Sequence, residues 1–251
     1  KPQQQAVESM IPSNSFAVVN LEKDLTPFVI QTRIENEVLK TQTPNTIKEI
    51  ILSAKDSSGV SVRVSATEII DAMEIDAPDI LTRSLTPDWM LGVYNDENDE
   101  KSVFVVTSTN FFQNTFAGML QWESVMADDL RKYLSPASIK GISNSIKNPS
   151  TPMESTTTAT TTATSTGGTT ATTTMSTSSV SGTNSARTAF VLRGRFVDKI
   201  IKNKDVRAFQ VEDGTILFLY SFIDNTHLVI TDKESTLSEI LSRLEKQSFI
   251  R

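Results

Sequence analysis

Residues 215–244 read TILFLYSFIDNTHLVITDKESTLSEILSRL, and this stretch decides the fold class. Two apolar runs, at 215–222 and 226–231, are separated by the short polar turn IDN. Strands joined by so short a turn pair antiparallel, because parallel strands need a longer crossover. The segment that follows carries apolar residues at helical spacing, namely Leu237, Ile240, Leu241 and Leu244. The stretch therefore predicts a β-hairpin followed by an amphipathic helix.

The same order of elements occurs twice more upstream. Residues 47–73 contain the strand IKEIILSA, the turn KDSSG, the strand VSVRV and the helix SATEIIDAM. Residues 89–130 contain WMLGVY, the acidic turn NDENDE, the strand SVFVVTS and a long helix. A hairpin alone is marginal in water and must bury one side against a helix. The sequence thus predicts an α+β fold, with antiparallel sheets built from repeated β-hairpin plus helix units and the helices packed on one face.

The helices carry their own signals. Ser65 with Glu68, and Thr231 with Glu234, have the spacing of a capping box. The long helix has an apolar stripe made of Phe112, Phe116, Met119, Met126, Leu130 and Tyr133, flanked by Trp122 and Phe111. This helix is predicted to form the centre of the core.

Other segments complete the predicted elements. SFAVVNLE at 15–22 and PFVIQTRIE at 27–35 are predicted strands, and residues 193–214 contain one or two more. APDILTRSL at 77–85 is predicted to be a short helix. Pro87 with Asp88 is predicted to mark a boundary between elements.

Composition predicts the domain organisation. We expect a flexible tail at 1–15, an N-terminal α+β subdomain at 16–86, and a C-terminal α+β domain made of 87–134 and 188–251. The Thr/Ser-rich stretch 135–187 is too polar to offset the entropy of ordering, which predicts a disordered insertion. A linker between two domains is the alternative. An O-glycosylated stalk and an unmodified loop both fit the tract.

Charge and cysteine content restrict the function classes. Residues 1–134 hold 20 acidic against 11 basic residues, which argues against general affinity for nucleic acid or anionic membranes. The chain has no cysteine, which excludes disulfides and thiolate sites. It begins at Lys1, not at Met, so we expect either a processed form whose upstream signal or anchor has been removed or a fragment of a longer chain.

Three strings carry a resemblance: WMLGVY at 89–94, NTFAGMLQWESVMADDL at 114–130, and the stretch DKIIKNKDVRAFQVEDG leading into the hairpin and helix that end at residue 244. In these strings the chain resembles a family of anchored, outward-facing proteins of candidate-phyla bacteria that has no known activity. The likeness covers roughly 16–134 and 190–251. It implies that the Thr-rich tract expands a loop inside one domain, and it transfers no functional residue.

Motifs for catalysis are missing from the sequence. No GxSxG, HExxH, P-loop or GxGxxG pattern occurs, and we expect no enzymatic activity and no cofactor. The single histidine, His227, lies in a strand and is predicted to be exposed or hydrogen-bonded. Asp128 and Asp129 are adjacent on a helix and point about 100° apart, which predicts a solvated face and no acid/base pair.

The acidic turn NDENDE clusters the oxygen ligands that a calcium ion needs. Lys101 and Thr107 stand where an EF-hand needs Gly and Glu, so that motif is excluded. A looser cation site formed by Asp96, Asp99 and Glu100 remains an alternative, although an acidic, soluble hairpin tip is preferred and no metal is expected.

Basic residues cluster around one predicted strand. The candidate polyanion-binding residues are Arg193, Arg195, Lys199, Lys202, Lys204 and Arg207. Asp198 and Asp205 interrupt this set, so the wet face of a strand is the preferred interpretation.

These observations favour a non-enzymatic structural or interaction module of a bacterial cell-envelope protein, located outside the cytoplasm. The alternative is a binding module for an anionic wall polymer or a small ligand, and hydrolysis is the weakest hypothesis. The expected partner is an unknown protein or a cell-wall polymer. No nucleic-acid partner is expected. Contact with a membrane is expected only through the removed upstream anchor.

Overall fold

The structure, a computed structural model, describes residues 9–21, 26–131 and 193–248. Within these ranges the chain forms nine strands and five helices. The strands are β1 Ser15–Leu21, β2 Thr46–Lys55, β3 Ser61–Arg63, β4 Leu85–Asn95, β5 Lys101–Thr109, β6 Gly194–Ile201, β7 Lys204–Val211, β8 Ile216–Phe222 and β9 His227–Thr231. The helices are α1 Pro27–Leu39, α2 Ala66–Ala72, α3 Asp79–Thr82, α4 Phe112–Arg131 and α5 Glu234–Ser248.

The strands form one sheet in the order β1-β2-β4-β5-β9-β8-β7-β6, and β3 pairs with the end of β2. Every pair is antiparallel except β1 with β2, which are parallel and joined by α1. β5 pairs with β9 at the middle, with Val106 opposite Val229. The chain segments on either side of the undescribed range 132–192 therefore share one sheet.

Aspartates shape four of the described hairpin turns. Asp56, Asp96, Asp213 and Asp224 each accept, at Oδ1, the backbone N–H two residues further on, at distances of 2.7–2.9 Å. These Asx turns fix the reversal between strands without a glycine at every turn. The predicted α+β class is confirmed, and all three predicted hairpin-helix units are present.

The two predicted capping boxes have different outcomes. At the start of α2 the box is present, because Ser65 Oγ accepts from the N–H of Glu68 while Glu68 accepts from the N–H of Ser65. The second is wrong. Thr231 still belongs to β9 and its hydroxyl donates to Val103 O at 3.0 Å, while Glu234 pairs with Lys199.

The segment PFVIQTRIE was predicted to be a strand and is the helix α1. Thr26 accepts from Val29 N as the N-cap, and Pro27 occupies the first helical turn, where no N–H is needed. Ile30 is fully buried and Ile34, one turn on, packs beside it. The helical spacing of these two side chains outweighs the strand propensity of the β-branched residues.

Pro87 lies inside β4, at a register shift between Leu85 and Trp89, and not in a connection between elements. A proline is tolerated in a strand where pairing is interrupted, because it lacks the N–H that the ladder uses. β4 pairs with β2, so the sheet runs through the predicted boundary at residue 86.

The predicted insertion 135–187 and residues 1–8 of the predicted tail lie outside the described residues. The described part of the tail is packed against the sheet, because Ile11 is fully buried and Asn14 N donates to Ile47 O at 2.8 Å.

The sheet has helices on both sides, whereas the prediction placed them on one. We call the side that carries Phe104, Val106 and Val229 the sealed face, which α5 covers through Leu237 and Ile240.

The opposite side, which carries Trp89, Leu91 and Leu228, is the grooved face, and α1 to α4 lie there. Among the described residues, none of the helices combines the length and apolarity that a membrane crossing requires.

The predicted stripe on α4 is confirmed at its middle. Met119 and Met126 are fully buried, and Trp122 is buried beside them. Phe111 was predicted to widen the stripe, but it is 60% exposed because it precedes the helix and points away from the sheet core. Phe116 is also partly exposed, and its ring contacts that of Phe222 with the centroids 5.9 Å apart.

Candidate functional site

An apolar groove lies on the grooved face, above the central strands β4, β5 and β9. Val103, Val105 and Ile230 form its floor and are only half-buried. Their neighbours Phe104 and Val106 point to the sealed face and are about 1% exposed. Alternate residues of one strand thus differ in exposure because the helices above them do not meet.

Two groups of helices form the walls of the groove. α1 and α2 contribute one wall, and α3 and α4 the other. The cavity between them has a volume of about 200 Å³. Its apolar lining includes Ile69, Met73, Leu81, Met119, Trp122 and Leu130.

Local contacts hold each wall in place. The capping box of Ser65 starts α2, whose Ile69 belongs to the same buried cluster as Trp89 of β4. On the other wall, Gly118 lets α4 approach α3 closely, since a Cβ at this position would lie 2.7 Å from Leu81 Cβ. A side chain at Gly118 would therefore push the two helices apart.

Asp129 lies near the C-terminal end of α4, and its position differs from the prediction. It was predicted to lie on a solvated face with Asp128, but it is buried. Its Oδ2 accepts from Trp122 Nε1 at 2.7 Å and from the backbone N–H of Asp76 at 3.1 Å. The carboxylate therefore joins α4 to the loop before α3, and it holds the Trp122 ring in the groove wall.

Nearly every polar atom in the lining has an internal partner. Trp89 Nε1 donates to Val64 O at 2.7 Å, and Trp122 Nε1 is bound by Asp129. Gln31 and Glu35 hydrogen-bond each other on α1 at 2.8 Å.

The exceptions are Asp232, whose Oδ2 has no hydrogen-bond partner among the described residues, and Thr107. Thr107 Oγ1 is buried and likewise has no hydrogen-bond partner among them. Thr107 lines the cavity on β5, paired with Trp89 on one side and Leu228 on the other. Leaving a buried hydroxyl unpaired costs about 1–3 kcal/mol. Folded proteins contain few such groups, and each one calls for an explanation.

A chain of hydroxyls lies at the opposite end of β5. Thr236 Oγ1 donates to Ser102 Oγ at 2.6 Å, and Ser102 donates to the buried Asp232. Burial raises the pKa of the Asp232 carboxyl to about 6, although Ser102, the charge of Lys233 and nearby backbone N–H groups act against it. This cluster connects the sheet to α5.

The candidate polyanion residues are divided between the two faces of the sheet. Arg195 and Lys199 on β6 and Lys204 on β7 lie on the side of the sealed face, whereas Arg207 lies on the grooved face. Lys202 is in the turn between them, with a positive φ of 47°.

Three of the six have partners inside the fold. Lys199 pairs with Glu234 and Lys202 with Ser242, both on α5. Arg207 makes two bonds to Glu123 on α4, at 2.8 and 2.7 Å. Its partners hold the pKa of the Arg207 guanidinium above its usual range.

The other three lie at the open edge or the tip of the β6–β7 hairpin. Arg193 and Arg195 border a shallow surface depression beside Gly214. Lys204 begins β7. The structure therefore does not gather the six basic residues into one patch.

The remaining candidate residues are held in turns. His227 Nδ1 lies 2.9 Å from Asp224 Oδ2, which agrees with the predicted hydrogen-bonded role. Asp96 Oδ1 binds backbone N–H groups of its own turn, Asp99 accepts from Asn95, and Glu100 pairs with Lys233. In the described part of the chain, no three acidic or histidine side chains lie close enough to hold a metal ion.

Comparisons of the chain with protein-family models, curated proteins and solved structures gave no match. The resemblance to anchored bacterial proteins therefore stays a prediction.

Sequence reasoning missed the groove and Thr107. One signal was present in SVFVVTS at 102–108, where Val103, Val105 and Thr107 share one face of the strand. A hydroxyl on an otherwise apolar strand face is unusual, but only the helix positions show that it lies in a cavity.

Proposed function

We propose that the chain is a binding module that takes a small apolar molecule into the groove between α2 and α4. The observation that carries this proposal is the apolar cavity of about 200 Å³ above the half-buried Val103, Val105 and Ile230. An apolar cavity of about 150 Å³ in another protein stays dry and binds benzene. The groove is therefore large enough for one ring.

The shape of the groove supports a ligand rather than a packing defect. Protein interiors rarely leave voids larger than a water molecule, because each one loses dispersion contacts. Here the void lies at the centre of the sheet, between helix walls fixed by Gly118 and by the Asp129 bonds. A ligand would restore the contacts that the two walls do not make with each other.

The interaction role expected from the sequence and the cell-envelope location stay predictions, as does the absence of enzymatic activity. A polyanion site at the basic strand has less support than the groove, since three of its six cations have partners inside the fold.

Toluene titration tests the proposal, with binding followed by amide chemical shifts of the full chain. We expect shifts that saturate and that are centred on β5, β9 and α2. Ile230→Phe fills the floor of the groove and should abolish them. Val125→Phe adds the same ring to the exposed side of α4 and should leave them unchanged. Absence of saturable shifts in the unmodified chain would contradict the proposed function.

A further inference from the structure

The Thr107 hydroxyl bears on the class of ring that the groove accepts, an inference that rests on the proposed function. Its hydroxyl sits between Trp89 and Leu228 on the grooved face, and its Oγ1 has no partner among the described residues. The indole N–H groups of Trp89 and Trp122 in the same walls are already bound. Besides Asp232 Oδ2, which lies beyond the end of β9 that is far from Thr107, Thr107 Oγ1 is the unpaired side-chain atom of the described lining.

We propose that the ligand is a neutral, ring-sized molecule with a single hydrogen-bonding group, of the phenol class, and that this group pairs with Thr107 Oγ1. A hydroxyl can donate and accept, so it matches a phenol hydroxyl in either direction.

The charges of the lining disfavour an anionic ligand. The described lining contains two acidic residues. Glu35 lies in the wall formed by α1, and Asp232 lies at the opposite end of the groove. The described lining contains no Lys or Arg to pair with a carboxylate or phosphate. A buried charge without a partner is costly, so an anionic ligand is disfavoured.

The experiment compares phenol with toluene, because the two rings differ by the hydroxyl group. Phenol is better hydrated than toluene, so the informative quantity is the ratio of their dissociation constants, measured by the same titration in each variant. Thr107→Val keeps the shape of the side chain and removes its hydroxyl. Thr107→Ser keeps the hydroxyl and removes a methyl group.

We expect Thr107→Val to weaken phenol binding relative to toluene by at least about fivefold, as the loss of one hydrogen bond would. Thr107→Ser should keep the ratio within about twofold of the unmodified chain, and it also serves as the test if the valine variant fails to fold. Benzoate should not bind.

Three outcomes would overturn the inference. If phenol and toluene weaken together in Thr107→Val, the hydroxyl does not select the ligand. If toluene binds the unmodified chain and phenol does not, or if benzoate binds, the ligand class is wrong while the proposed function stands. If toluene itself does not bind, the proposed function has failed first.

Discussion

The two faces of the sheet differ in a way that the number of helices does not explain. Within the described ranges, α5 alone covers the sealed face, and Phe104 and Val106 beneath it are almost fully buried. Four helices lie on the grooved face, yet Val103 and Val105 of the same strand are half-buried.

Position explains this difference. α5 packs across the central strands, whereas α2 packs against Trp89 on one flank and α4 against Phe218 and Tyr220 on the other. The strands between the flanks receive no helix of their own. A cavity thus follows from where the helices lie and not from a lack of apolar residues.

The largest expected effect concerns the sealed face. Ile240 on α5 is fully buried, so Ile240→Ala should lower the free energy of unfolding by about 3–5 kcal/mol through lost contacts and a new cavity. Ile80→Ala removes the same atoms from a partly exposed position on α3 and should cost less than about 1 kcal/mol. Urea denaturation of both variants measures the difference. Equal losses would mean that α5 does not seal its face.

A second prediction concerns the carboxyl buried beside α5. Because the folded pKa of Asp232 is about 6, above its ordinary value of 3.8, the folded state binds more protons between these two pH values. The free energy of unfolding should therefore decrease as pH rises from about 4 to 6 and then level off, a contribution of about 2–3 kcal/mol.

Asp232→Asn isolates this contribution. The stability of the variant relative to the unmodified chain should increase between pH 4 and 7, measured by denaturation at several pH values. Asp88→Asn changes an exposed aspartate and should show no such trend. A flat difference for Asp232→Asn would show that the carboxyl is not buried as described.

The smallest expected effect compares the two faces within β5. Val106→Ile adds a methyl group to the tightly packed face and should destabilise the chain by about 1–2 kcal/mol. Val105→Ile adds the same group to the groove floor, where there is room, and should be neutral or slightly stabilising. Thermal unfolding midpoints of the pair measure this. A larger loss from Val105→Ile would contradict the open groove.

Much of the architecture was readable from local patterns. The hairpins followed from strand pairs joined by short polar turns, and the helix at Ser65 from its capping box. Errors arose where two local signals competed, as at Pro27, where β-branched residues favour a strand but the cap and the helical spacing favour a helix.

The candidate site was much less predictable. The six basic residues are close in sequence, but alternation along β6 and β7 and the partners on α4 and α5 separate them. Asp129 has two partners of different kinds: Trp122 lies two turns earlier on the same face of α4, and the backbone of Asp76 comes from a distant loop. The spacing of seven residues was a local signal for the first partner, whereas the second has none.

The sequence by itself determined the α+β class, the hairpin-helix units and the apolar faces of α4 and α5, because these depend on periodicities of two and 3.6 residues. Only the tertiary structure decided that α5 crosses to the opposite face, that β5 and β9 join the two halves, and that a gap remains above Val105. The gap depends on distances between helices that are remote in sequence. For that reason an unpaired hydroxyl at Thr107 gains meaning only in the folded chain.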